Sequence, residues 1–419
     1  MSWAEELDEY RRFATGVTFR ILTVALSLLS AMVTARGLGV SGRGLLYTCY
    51  SAASLGAQLL SLGMPSAVVL VVASRPALAQ RAIRRALGAS LGAGLAALSG
   101  ISLLSMLDAS RRLAPEVFEV GSLVAGLIAA RVLLMWCSSL TQSLGAVDRI
   151  PTIELLHRVI TVCWAWMVLF ALNAAFRSFF ASLVVVDLLC GGLWLSYVRK
   201  IAPRPSRAPA WPGEWRRWSL KAYPPLILET GSRRIDALLL TSLAGIRATG
   251  LYSIAAQVMD VTQIGSVFLG QKAMFAFSAG QGDSPSIRRL RPILPFLAII
   301  GMILAGLVAD FWIPLLFGRD FSGIGPIILA LSLGAGALAW VTVASKEIAA
   351  AGFPLQLTLA WLLVFCTAVI LMFVLIPGNG AIGAGLVMSA SYLLLAWLVH
   401  RIRRSMRRTN PPGLEADSR

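Results

Sequence analysis

The sequence predicts an all-α integral membrane protein of about twelve transmembrane helices, arranged as two six-helix halves that form a parallel pseudo-repeat. Three observations carry that expectation. Of the 419 residues, 57% are apolar and only 14% are charged, whereas an average soluble protein is roughly 25% charged. The mean hydropathy is +0.77. Apolar runs of about 18 residues or more recur along the whole length, as hydrocarbon-crossing helices require. A transmembrane β-barrel would instead alternate apolar and polar residues in short segments, and these continuous runs do not.

The opening MSWAEELDEYRRF reads as a short polar helix with acids ahead of Arg11 and Arg12. It has neither the basic leader nor the small-residue cleavage site of a removable signal peptide, so the first span is expected to serve as an uncleaved anchor. Twelve spans follow, at approximately 14–35, 45–73, 86–107, 117–142, 152–172, 178–198, 222–243, 249–275, 292–314, 323–345, 355–377 and 380–400. Each needs about 20 residues to cross about 30 Å of hydrocarbon. Together with short loops they use up the chain, leaving no room for an extramembrane domain.

The one long connection, RKIAPRPSRAPAWPGEWRRWSLK at 199–221, holds four prolines and seven basic residues and cannot be a span. It divides the chain into an N-terminal six-helix half (1–198), a basic Pro/Trp-rich cytoplasmic linker (199–221), a C-terminal six-helix half (222–400) and a cytoplasmic tail (401–419). Trp211, Trp215 and Trp218, set beside arginines, suit a segment at the lipid headgroup level.

The formal net charge of +17 belongs to topology. With both termini cytoplasmic, the inner connections hold 25 of the 37 basic residues, Arg158, Arg291 and Lys346 among them. The outer connections hold seven: Arg36, Arg43, Arg111, Arg112, Arg177, Arg247 and Arg319. The remaining five lie within spans. That asymmetry orients the chain by the positive-inside rule. Nucleic-acid binding needs a basic soluble domain with a reading motif, and no such domain is present. The five cysteines all lie in apolar stretches without CxxC spacing, and His157 and His400 sit at span edges. Neither a disulfide framework nor a metal site is expected.

The two halves echo one another. Gly39 and Gly44 in GVSGRGLLYTCYSAA match Gly245 and Gly250 in GIRATGLYSIAA at a constant offset of 206. TQSLGAVDRIP around Gly145 answers EIAAAGFP around Gly352 at an offset of 207. Small residues do pack membrane helices closely, but packing alone does not set their register. Parallel repeats of this kind are a transporter architecture, with the substrate site at the interface between halves near the midplane.

Several stretches resemble a known family. TARGLGVSGRGLLYTCYSAASLGAQLLSLGMPSAVV is similar to the first-loop pattern of polysaccharide-biosynthesis flippases, RRIDALLLTSLAGIRATGLYSIAAQVMD to their seventh-to-eighth-span signature, and IPLLFGRDFSGIGPIILALSL to their ninth-to-tenth-span loop. In order and with matching span numbers, these place the chain beside the lipid-linked oligosaccharide (Wzx-like) branch of the multidrug/oligosaccharidyl-lipid/polysaccharide exporter superfamily. Peptidoglycan-precursor flippases of that superfamily usually have fourteen spans; drug exporters, like this chain, have twelve. A major facilitator would carry an acidic G-x-x-x-D-R-type loop between spans 2 and 3, where this chain reads SRPALAQRAIRR.

Charges inside spans are the candidate functional residues, since each costs about 2.5–3.5 kcal/mol on insertion scales unless it faces a cavity or partner. They are Arg20 in span 1, Arg131 near the centre of span 4, Glu229, Arg233, Arg234 and Asp236 in span 7, and Asp260 and Lys272 in span 8. Glu229, Arg233 and Asp236 fall on one helical face and read as a self-neutralising ladder, whereas Arg234 points about 100° away without a same-face partner. Gln257, Asp260 and Gln271 share a face of span 8 and read as a polar cavity lining.

The resemblance implies a task for them. Arg20, Arg131, Arg233, Arg234 and Lys272 would form a cationic cavity for the pyrophosphate of a polyprenyl-linked oligosaccharide, which arginine binds through a planar fork. Glu229, Asp236, Gln257, Asp260 and Gln271 would line the cavity and couple its cycle to ions or potential. The implied function is a flippase carrying that lipid from the cytoplasmic to the outer leaflet of a bacterial inner membrane by alternating access, for exopolysaccharide export. It would act as a monomer without a cofactor, with membrane lipids, polysaccharide polymerase and export proteins as partners. HExxH and P-loop motifs are absent from the sequence. The alternatives are a drug or cation antiporter of the same superfamily, which arginines would disfavour by repelling a cation, and a membrane polysaccharide polymerase or ligase, whose catalytic outer loop has no counterpart here.

Overall fold

A computed structural model describes residues 3–106, 119–146, 149–203, 214–278, 285–350 and 355–409. All the long elements among them are helices: α1 Trp3–Ser61, α2 Met64–Ser74, α3 Ala79–Met106, α4 Gly121–Ser143, α5 Ile150–Trp166, α6 Phe176–Ile201, α7 Glu214–Thr262, α8 Ile264–Ser278, α9 Pro285–Leu307, α10 Ala309–Phe317, α11 Gly325–Ala350 and α12 Leu355–Thr409. Nine of the described helical stretches are long and apolar enough to cross a membrane. Three of these, α1, α7 and α12, reverse direction at a glycine with positive φ: Gly39, Gly245 and Gly380. Each therefore crosses twice, which makes twelve crossings and a multi-pass membrane protein.

The reversals follow from distances. The Oγ1 atoms of Thr241 and Thr249 lie 2.9 Å apart, although eight residues of straight helix would separate them by about 12 Å. Arg43 reaches Thr34 Oγ1 across nine residues at 2.9 Å in the same way. A positive φ suits glycine because it has no Cβ. Thus Gly39 and Gly245, 206 residues apart, are the turns of two equivalent hairpins.

Each half has its own apolar core. One is built from residues 33–202, around Trp136, Phe179 and Phe180. The other is built mainly from residues 240–399, around Tyr252, Phe317 and Phe321, and takes in Ala31, Ala35 and Val40 from the first hairpin. The halves meet where α1 crosses α7. A side chain at Gly44 would collide with the carbonyl oxygen of Ile246, and one at Gly250 with that of Val40. These two contacts are the same contact shifted by 206 residues, so the crossing lies on the pseudo-symmetry axis. Beside it, Thr48 Oγ1 bonds Thr241 Oγ1 at 2.6 Å. The second sequence echo falls partly on Gly352, which lies outside the described residues.

Other links join the halves away from this axis. Arg36 donates from Nε to Leu316 O at 2.9 Å and from Nη2 to Leu315 O, capping the end of α10. Ser219 donates to Leu62 O, and Tyr223 OH to Leu59 O at 3.0 Å. Within the second half, Glu347 on α11 is held by Arg291 from α9 and by Arg403 Nε from α12 at 3.0 Å. Arg291 therefore sits in a buried ion cluster rather than in a free connection.

One expectation near the linker changes. The helix after it begins at Glu214, not near 222, because Trp215 and Trp218 are already helical; Arg85 stacks over Trp215 at 5.1 Å. Trp211 lies outside the described residues.

The crossing sets a prediction. Gly44→Ala or Gly250→Ala forces a backbone shift, since the obstructing atom is a carbonyl, and overpacking of this kind costs about 1–3 kcal/mol. Gly88→Ala and Gly92→Ala place a Cβ in open space. Thermal unfolding in detergent should show several degrees of loss for the first pair and none for the second.

Candidate functional site

A cavity of about 260 Å³ lies between the first half and α7. The arms of the first hairpin supply Ser27, Thr34, Arg43, Tyr47 and Tyr50; α4 supplies Arg131; α5 supplies Arg158 and Thr161; α7 supplies Arg234, Gln257 and Asp260. Arg131 and Arg158 occupy the middle turns of their helices, so they sit deep in the membrane. A smaller space of about 50 Å³ adjoins it, sharing Tyr47, Arg234 and Asp260 and adding Arg233, Asp236, Tyr252 and Tyr392.

Local sequence explains these positions. The Gly39 turn folds the second arm of α1 back on the first, which brings Arg43, Tyr47 and Tyr50, on successive turns of one face, against Ser27 and Thr34. Residues 158, 161 and 165 share a face of α5 by helical spacing, and all three line the cavity.

Arg43 is buried at 8% exposure. Its Nη1 donates to Thr34 Oγ1 at 2.9 Å and its Nη2 to Gln257 Oε1 at 3.0 Å. Gln257 Nε2 in turn donates to Ser27 O at 3.1 Å. One arginine and one glutamine thus stitch the first hairpin to the second. The guanidinium of Arg131 stacks over the Tyr50 ring at 4.9 Å, a contact the ring quadrupole favours. The buried Nε atoms of Arg43, Arg131 and Arg233 have no hydrogen-bond partner among the described residues. Four arginines and one carboxylate line the main cavity, so its lining carries a surplus of positive charge.

The sequence-derived candidates divide as follows. Arg131, Arg234, Gln257 and Asp260 meet in the main cavity, and Arg233 and Asp236 in the adjoining space. Glu229 and Arg233 form the expected i,i+4 pair at 3.8 Å. The ladder ends there: Asp236 accepts from Tyr252 OH at 2.6 Å and from the Ala237 N–H at 2.7 Å instead of pairing with Arg233. The Gly245 reversal returns Tyr252 alongside Asp236, a partner invisible to spacing within one helix. Arg234, unpaired along its own helix, shares both spaces with Asp260 for the same reason.

The span that carries Gln257 and Asp260 has one interruption. The helix interrupts between Thr262 and Ile264, where Gln263 Nε2 donates to Ala335 O at 2.9 Å. The side chains of Arg20, Gln271 and Lys272 lie outside the described residues.

Arg43 and Arg158, expected in an outer and an inner connection, are corrected to cavity residues by the sharp Gly39 turn and by the length of α5. His157, expected at a span edge, is in mid-helix and hydrogen-bonds Asp187 of α6 at 2.8 Å.

This arrangement defines a class: a two-half helical membrane protein with a cationic internal cavity. Solved structures it is similar to include transporters. One is a multidrug-resistance MATE-family transporter of the MOP superfamily in an inward-facing conformation, 13% identical, with TM-score 0.69, covering 93% of this chain and 96% of that one. Another is the lipid II flippase MurJ in an inward closed conformation, 12% identical, with TM-score 0.72, covering 93% and 87%. A third is a MOP-superfamily transporter from Pyrococcus furiosus, described by the reverse polarity of its binding pocket, 13% identical, with TM-score 0.62, covering 94% and 95%. At these identities the likeness establishes the fold. No family model and no curated protein matches the chain.

Arg43→Ala should unpair Gln257 Oε1 and Thr34 together. Leaving a buried acceptor unsatisfied costs about 1–3 kcal/mol, so the unfolding temperature should drop by several degrees. Arg43→Lys, with a point donor instead of a fork, should recover only part of it.

Proposed function

We propose that this chain is a secondary transporter of the MOP superfamily that moves an anionic, polyprenyl-pyrophosphate-linked oligosaccharide from the cytoplasmic to the outer leaflet by alternating access. The observation that carries this reading is the cavity charge: Arg43, Arg131, Arg158 and Arg234 stand against Asp260 alone. A pyrophosphate offers several acceptor oxygens to such donors. The fold is shared with a protein named as a lipid flippase, and the Wzx-like sequence resemblance points the same way. Tyr47, Tyr50, Gln257 and Ser27 supply the aromatic and hydrogen-bonding surface that sugars require.

The second reading is a drug or cation antiporter, favoured by the similarity to a multidrug-resistance transporter. A surplus of arginines repels cations, so the anionic substrate is preferred. A fold neighbour described by reversed pocket polarity and a different function supports the idea that pocket charge sorts substrates on this scaffold.

In this proposal the termini face the cytoplasm of a bacterial cell, the linker lies at the inner membrane surface, and the protein works as a monomer beside polymerase and export proteins. Inside-negative potential drives anions outward at about 2.3 kcal/mol per charge per 100 mV. Resetting the empty cavity needs counter-charges for the arginines, because unpaired ions in a low-dielectric space are costly. Asp260, exposed in the cavity, and Asp236, one hairpin arm away, supply them, together with a cation or proton.

Arg131→Ala and Arg158→Ala should each lower lipid flipping in proteoliposomes at least tenfold without loss of membrane insertion, and Arg234→Ala should do the same. Retention of full activity by all three variants and by the Arg131/Arg234 double change would rule out the pyrophosphate site. Asp236→Asn and Asp260→Asn should alter the dependence of flipping on potential and ion gradients set independently; unchanged dependence in both makes these acids structural. Reporters inserted at the Gly39 turn and at Pro76 should locate outside and inside respectively, and the reverse pattern would overturn the orientation.

A further inference from the structure

A second cavity, apolar and about 240 Å³ in volume, lies between α4, α5 and α6. Leu134, Leu156, Ile160, Leu193 and Tyr197 line it, and His157 forms part of its wall. Leu156 and Leu193 are 60% and 67% exposed on the outer, membrane-facing surface of the bundle. The cavity therefore opens toward hydrocarbon.

α5 is the partition between this space and the cationic cavity. Arg158, Thr161 and Ala165 face the cationic side, while Leu156, His157 and Ile160 face the apolar side. Consecutive helical residues point about 100° apart, so His157 and Arg158 look into different compartments one helix diameter apart. The partition contains a polar seam. His157 Nε2 and Asp187 Oδ1 lie 2.8 Å apart, joining α5 to α6, and Asp187 is buried within electrostatic range of Arg131 and Tyr50 on the cationic side. Both residues sit mid-helix, where a charge in hydrocarbon marks function more often than packing. α5 also ends in a single π turn at Met167–Ala171, followed by Asn173 with φ 48°; such turns interrupt the regular helix often at functional sites.

We infer that the apolar cavity receives the head-proximal hydrocarbon of the same lipid whose phosphates enter the cationic cavity, and that the α5–α6 seam is the side portal between them, latched by His157–Asp187. This rests on the anionic-lipid reading above. A bulk membrane lipid keeps its head at the interface and has no group to offer a mid-membrane His–Asp pair. A lipid with its pyrophosphate among Arg131 and Arg158 must, by contrast, carry its first carbons past α5 at that depth. His157 and Asp187 are positioning residues here; neither is required to touch the phosphates.

The test uses the full chain in nanodiscs with two photoreactive probes: polyprenyl pyrophosphate with a diazirine in its first isoprene units, and phosphatidylcholine with a diazirine in its acyl chain. The polyprenyl probe should label α5 and α6, and excess unlabelled polyprenyl pyrophosphate should reduce that labelling at least tenfold where excess phosphatidylcholine does not. Leu193→Trp, which fills the cavity, should lower labelling and flipping at least tenfold while affinity for inorganic pyrophosphate stays unchanged. His157→Ala should speed labelling at least threefold, and His157→Gln, still able to bond Asp187, should restore the original rate. Equal, uncompeted labelling by both lipids, or labelling confined to other helices, overturns the portal. If pyrophosphate binding needs Arg131 and Arg158 yet Leu193→Trp flips lipid normally, the portal falls and the transporter reading stands. If neither the lipid nor pyrophosphate binds, both fall.

Discussion

The structure depends on the close approach of two backbones, Gly44 against Ile246 and Gly250 against Val40. Without a hydrophobic drive between helices in lipid, small residues and close packing are what hold spans together. Here that packing does more than hold. It places the equivalent hairpins of the two halves on a common axis, so Tyr47 and Tyr50 descend from one side of the crossing and Gln257 and Asp260 from the other. The hydrogen bonds from Arg43 to Thr34 and Gln257 complete the joint. The cavity is the space left where the hairpins diverge.

Its charge balance then follows from where neutralising partners are within reach. In the second half Asp236, Asp260 and Glu229 lie within a few turns of Arg233 and Arg234, on the two arms of one hairpin. In the first half Arg158 has Glu154 one turn before it on α5, and the buried Asp187 of α6 already holds His157. The wall facing α7 is thus richer in positive charge, at a desolvation cost that the hydrogen bonds of Arg43 and the Tyr50 ring over Arg131 offset only in part.

Much of this was legible in the sequence. Apolar run lengths set the number of crossings, and the offset of 206 located both turn glycines and both crossing glycines, because close contact tolerates no side chain and therefore leaves a readable mark. Arg131, Arg234 and Asp260 stood out because charge inside a span is rare. Arg43 and Arg158 were missed because a charge counted near a span end looks like a loop residue until the sharpness of a turn or the length of a helix is known. Tyr252 as the partner of Asp236 was hidden for a different reason: helical spacing relates residues along one rod, and this contact spans a reversal. The helix carrying Gln257 and Asp260 is interrupted at Gln263, whose side-chain amide donates to a backbone carbonyl of α11.

The four residues of the crossing, Val40, Gly44, Ile246 and Gly250, are not among those that line the cavity. The part of the molecule that joins the halves is thereby separate from the residues that line the space between them. Evolution can then rewrite the lining freely, exchanging arginine for carboxylate or aromatic side chains, while the joint stays intact. A scaffold divided in this way can diverge to 12–13% identity, as between this chain and two of its solved neighbours, and still keep one backbone.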